Sequence, residues 1–176
     1  MSSGDLHADR RRCYPAAAML SGSGPFSENT LERMKDQLII SGNLDHDGDG
    51  LVRFRITAEN PAFRGTTLTW GNEERISELL SALAGFPKTS SDRVEFVFGT
   101  PRTGVCRLEF QTVDSLGHCC VWVDLEAPYA STGKDRFEHS LVCVKFVPAS
   151  LDEFCNHLRR FKRGRQNEAV LAKHAL

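Results

Sequence analysis

The sequence predicts an α+β fold, a single twisted, mainly antiparallel sheet of about six to seven strands with two amphipathic helices packed on one face. Three observations carry this expectation. From Val105 to Glu126 the chain reads as a β-hairpin: Cys106, Leu108 and Phe110 alternate with Arg107, Glu109 and Gln111, and Asp114-Ser115-Leu116-Gly117 supplies the turn. The returning arm, His118 to Leu125, is apolar on both sides, with Cys119, Val121, Val123 and Leu125 on one face and Cys120 and Trp122 on the other, the pattern of a strand central in its sheet. Ile76, Leu79, Leu80 and Leu83, and later Leu151, Phe154, Leu158 and Phe161, recur at helical spacing.

The remaining elements follow in order. Residues 1–33 are rich in Ser, Gly, Ala and Arg, show neither strand nor helix period, and read as a disordered or loosely attached tail. Gln37 to Ser41 is a first strand, and Val52, Phe54 and Ile56 form the inward face of a second, with Arg53 and Arg55 outward. Asn60-Pro61 ends it, and the β-branched, aromatic run Thr66 to Trp70 is a third. Asn72 is placed to cap the first helix, which stops before Gly85. Arg93 to Phe98 precedes the hairpin and Leu141 to Val147 follows it. Ser150 and Glu153 fit a capping box for the second helix. The domain so defined spans residues 34–164, with a polar tail over 165–176.

Composition narrows the class. Of 176 residues, 22 are Lys or Arg and 23 Asp or Glu, so no net field draws the chain to nucleic acid or to an anionic membrane. No apolar run approaches the roughly 20 residues of a spanning helix. Arg10 to Arg12 before an apolar stretch imitates a signal peptide, but Pro15 interrupts that stretch and acidic residues precede it. Four of the six cysteines sit in strands where a small apolar residue would serve, and no Cys-x-x-Cys occurs. Buried free thiols in a reducing, cytoplasmic compartment are the expectation.

The motif most suggestive of chemistry is DHDGDG. Asp45, Asp47, Asp49 and Gly50 match the first half of an EF-hand calcium loop, but Ile56 stands where the bidentate carboxylate belongs and the chain continues as a strand. A solvated acidic turn is favoured, with a calcium-stabilised module as an alternative, and no metal or cofactor is expected. His118 with Cys119 or Cys120, and Asp114 or Asp124 as orienting carboxylate, suggests a nucleophile, yet adjacent strand residues diverge to opposite faces. A cleft near His118, Asp114 and Asp124 is retained as the small-enzyme alternative. The basic run of Arg159, Arg160, Lys162, Arg163 and Arg165 reads as a solvated helix end, favoured at the negative pole of its dipole.

Three features together resemble the immunity proteins of bacterial polymorphic toxin systems, including the WapI-like immunity family. They are VRFRI followed by the helix at Ile76 to Leu83, the Asp114 to His118 turn leading into an apolar strand, and LVCVKFVPASLDEF as a strand then a helix. The resemblance spans about two thirds of the chain, from Leu51 to Phe161. It implies a non-enzymatic protein that binds and neutralises a protein partner; composition separately argues against a membrane and against nucleic acid as a partner. Asp45, Asp47, Asp49, Trp70, Asp124, Glu126 and Tyr129, exposed acidic and aromatic groups on loops and the open sheet face, are the candidate contact residues.

Overall fold

Leu51–Glu59 shows in miniature how the core is made. Val52, Phe54, Ile56 and Ala58 are buried while Arg53 and Arg55 between them are exposed, the period of a strand with one dry face. The computed structural model describes residues 35–44, 50–128, 138–162 and 167–172. In these the chain order is β1 (Gln37–Leu44), β2 (Leu51–Glu59), β3 (Arg64–Asn72), α1 (Glu74–Ala82), β4 (Arg93–Thr100), β5 (Gly104–Thr112), β6 (Cys119–Glu126), β7 (His139–Phe146), α2 (Pro148–Lys162) and β8 (Glu168–Ala172).

The α+β class is as expected, but the strands divide into two four-stranded antiparallel sheets rather than one sheet of six to seven. The first has the order β3-β2-β1-β8 and the second β4-β5-β6-β7. In the second, β5 and β6 are the inner strands, as the two-sided apolar pattern of β6 requires. The division arises because each meander has an apolar inner face, and the two inner faces share one continuous cluster with residues of both helices. Alternation reveals which face of a strand is dry; it does not reveal which sheet the strand joins.

Strand β8 lies in the stretch expected to be a polar tail. It pairs with β1, Gln37 opposite Ala172 and Ser41 opposite Glu168, and buries Ala169 and Leu171 completely. Five residues flanked by charged and amide side chains are too short a run for alternation to stand out. Nor do the helices lie together on one sheet face: they pack on each other, with α1 also against β4 and α2 against β8.

Both helix starts differ from expectation. Asn72 ends β3, and Glu73 holds the cap position without a side-chain hydrogen bond. Helix α2 begins at Pro148, whose fixed φ and missing N–H suit a first turn. Ser150 is therefore already helical, and its hydroxyl is buried without a hydrogen-bond partner among the described residues instead of forming a capping box.

The two sheets meet along β3, which runs across the ends of all four strands of the second sheet. Thr69 faces Gly99 at the end of β4, and the Leu68 carbonyl faces Gly104 at the start of β5. The Thr67 hydroxyl donates to the Glu126 carbonyl at the end of β6, 2.7 Å, and Gly65 lies under Ser140 and Leu125 at the β6–β7 side. This is the crosswise form of sheet packing. The edge of β7 is held as well: Asn60 Nδ2 donates to the Cys143 carbonyl at 3.0 Å, and the Lys145 N–H to Asp36 at 3.4 Å.

Phe54 is the side chain on which the layers converge. Its ring centroid is 5.3 Å from that of Phe98 in the second sheet and 6.2 Å from that of Phe161 in α2. Phe54→Ala is expected to lower unfolding free energy by about 3–5 kcal/mol. Urea unfolding followed by circular dichroism measures it, and a loss below about 1 kcal/mol would mean that the layers do not depend on this ring.

Candidate functional site

Because β6 is an inner strand, the side chains it turns away from the core meet those of β5 and β7 in fixed register. Arg107 stands opposite Asp124, which stands opposite Leu141; Glu95 stands opposite Glu109, which stands opposite Trp122. Directly opposed positions on one sheet face are within side-chain reach, so the outer face of the second sheet gathers aromatic, basic and acidic groups from four strands.

These groups are paired. Arg107 Nη1 donates to Glu126 Oε1 at 2.8 Å and reaches Asp124 Oδ2 at 3.5 Å, while His139 Nε2 is 2.7 Å from Asp124 Oδ1. The hydrogen bond that Arg107 donates to Glu126, with smaller help from Asp124, holds the Arg107 pKa above its ordinary value. Two carboxylates in direct opposition, Glu95 and Glu109, share Arg93: its Nε is 3.3 Å from Glu95 and its Nη2 bonds Glu109. Between these clusters lies a cavity of about 230 Å³ walled by Glu95, Val97, Trp122, Asp124, His139 and Leu141. Val97 and Leu141 on its rim are 42% and 49% exposed, large for apolar side chains.

Of the residues singled out from the sequence, Asp124 and Glu126 meet in this face. Trp70 does not: it projects from the outer face of the first sheet, opposite Arg53, whose guanidinium lies 5.9 Å from the ring centroid. Asp45, Asp47, Asp49 and Tyr129, and with them the calcium-loop expectation, lie outside the described residues. Arg107, Glu109, Trp122 and His139 were missed. Their signal was parity: Trp122, Asp124 and Glu126 share a face, as do Arg107 and Glu109, but only the register brings the two sets together.

His118, Asp114 and Asp124 do not form one cleft. Asp114 Oδ1 accepts the Leu116 and His118 N–H groups at 2.9 and 3.1 Å, and its Oδ2 meets His118 Nδ1 at 2.6 Å. That pair closes the β5–β6 turn. Asp124 lies at the other end of β6, about 20 Å along the strand. Burial, reinforced by the neighbouring Cys120 and Asp114, pushes the Cys119 thiol up to about 11, the opposite of an activated nucleophile. Cys120, across from Gln111, receives a hydrogen bond from its amide at 3.4 Å.

Among the described residues no group of three or more His, Cys, Asp or Glu side chains is arranged to hold a metal ion, and no helix is long and apolar enough to cross a membrane. No protein-family model matches the chain, and neither the curated proteins nor the solved structures contain a significant match.

The Asp114 carboxyl sits below the usual aspartate value of 3.8, chiefly through the His118 side chain and then the two backbone N–H groups. Its contribution to the turn is therefore complete above that ordinary value and fades as pH falls through the lower folded-state pKa. NMR titration is expected to place Asp114 below 3.8, with His118→Ala moving it upward. Titration at or above 3.8 in the unaltered protein would mean that the turn is not held by this pair.

Proposed function

We propose that the chain is a non-enzymatic protein-binding module of the immunity type, engaging its partner through the outer face of the second sheet. One observation carries the proposal: Trp122 and Arg107 stand among paired carboxylates beside a cavity rimmed by exposed Val97 and Leu141. Tryptophan and arginine are the side chains that most often dominate binding energy, and an apolar patch ringed by charge is the ordinary anatomy of a protein interface.

The sequence resemblance to immunity proteins points the same way. So does the charge. The four carboxylates Glu95, Glu109, Asp124 and Glu126 are met by only two guanidinium groups, Arg93 and Arg107, together with His139. Lys145 shares this face, so four carboxylates stand there against three Lys and Arg side chains, a balance that steers a basic protein surface towards the face rather than nucleic acid.

A photo-crosslinking residue placed at Leu141 tests the proposal, with the same residue at Leu116, the 82% exposed tip of the β5–β6 turn, as the control. In cells that make the protein, the Leu141 derivative is expected to give one discrete adduct, identifiable by mass spectrometry as a protein, and the Leu116 derivative none. Equal adducts from both positions, or none from Leu141, would remove the second sheet as the binding face.

A further inference from the structure

We propose a second interaction surface, on the outer face of the first sheet, that takes an acidic segment of a protein partner by its carboxylates. The surface is built on β2. Arg53 and Arg55 project from next-neighbour positions of the same face and are both exposed, and no carboxylate among the described residues lies within ion-pair distance of either. Arg93 and Arg107 of the second sheet are each neutralised by carboxylates. Two guanidinium groups side by side, with no carboxylate paired to them among the described residues, repel each other, and an oxyanion ligand converts that repulsion into binding.

The surroundings make this a shaped site. A cavity of about 280 Å³ is lined by Ser41, Arg53, Arg55, Leu68, Asn167 and Glu168. Arg53 lies over the Trp70 ring with its guanidinium carbon 5.9 Å from the centroid, a contact that limits the conformations of its side chain. Leu68, directly opposite Arg55 in the register, is 36% exposed and offers an apolar contact beside the charge.

Two features select a peptide over a nucleic acid. Same-face side chains on a strand repeat every ~6.6–6.8 Å, so Arg53 and Arg55 match two carboxylates separated by one residue in an extended peptide. Glu168 stands in the same cavity, where its carboxylate is placed to accept hydrogen bonds from peptide N–H groups, donors that a phosphate backbone lacks. The outer faces of the two sheets therefore have different preferences, the second for a basic surface and the first for an acidic segment.

The protein has two tryptophans, Trp70 on one outer face and Trp122 on the other, so the two indole N–H resonances in a nitrogen-15 correlation spectrum report on the faces separately. The probes are a blocked pentapeptide with two glutamates flanking a valine, the same peptide with glutamines, and a twelve-residue thymidylate, at low ionic strength. The glutamate peptide is expected to shift the Trp70 indole saturably and leave Trp122 in place, the glutamine peptide to shift neither, and Arg55→Gln to weaken binding about tenfold. Arg55 is exposed, so the variant keeps its fold, and an unmoved Trp122 resonance verifies this. The proposal is overturned if Trp70 does not shift, if the glutamine peptide binds equally well, or if the thymidylate binds more tightly and loses that binding in Arg55→Gln. Failure here leaves the crosslinking result on the second sheet untouched, since the two readouts come from different faces.

Discussion

The architecture depends on how closely β3 can lie across the ends of the second sheet. Crosswise packing of two sheets brings backbone against backbone at their corner, and side chains there hold the layers apart. At the crossing points the chain supplies glycine. A Cβ on Gly104 would collide with the Leu68 carbonyl, one on Gly99 with Thr69 and the Gly104 carbonyl, and both residues adopt positive φ. With the corner closed, Phe54 reaches both Phe98 and Phe161, and the two inner faces merge with the helices into one core. The Thr67 hydroxyl then finds the Glu126 carbonyl and joins the seam to the last residue of β6, the residue whose side chain holds Arg107.

Closing the corner also assigns the outer faces. Once the inner faces are committed to the core, the alternate positions of β2 and β3 point one way and those of β4 to β7 another. The sequence places similar residues on both, yet their settings differ. Arg107 and Arg93 are fixed by carboxylates, whereas Arg53 and Arg55 stand beside Trp70 and Leu68 with no carboxylate within ion-pair distance among the described residues. The two proposed binding faces would suit a protein that holds one partner while contacting another, or grips one partner by two regions of different charge.

Much of the fold was legible in the residues. The two-sided apolar pattern of β6 marked it as an inner strand, and the stripes Ile76-Leu79 and Leu151-Phe154-Leu158 marked the buried sides of both helices. What could not be read was partnership. Alternation in β3 and β6 is the same whether they share a sheet or not, so Trp70 and Asp124 were grouped although they belong to different faces. Strand β8 escaped because a five-residue strand gains its stability from pairing with β1 and burying Ala169 and Leu171, both non-local effects. Asp114 and His118 were read as possible chemistry, but at the ends of a tight turn an Asp side chain is drawn to nearby backbone N–H groups, and here it takes two of them and the imidazole.

The seam can be tested by comparing two glycines of nearly equal positive φ. Gly104 and Gly117 have φ of 87° and 85°, but a Cβ on Gly104 meets the Leu68 carbonyl while one on Gly117 meets nothing within 4 Å. Alanine at positive φ costs about 1–2 kcal/mol at either site, so a larger loss at Gly104 measures crowding at the corner. Equilibrium urea unfolding of Gly104→Ala and Gly117→Ala is the measurement. If the two sheets close along β3, Gly104→Ala loses at least about 2 kcal/mol more than Gly117→Ala; equal losses would contradict the corner on which the core and both outer faces rest.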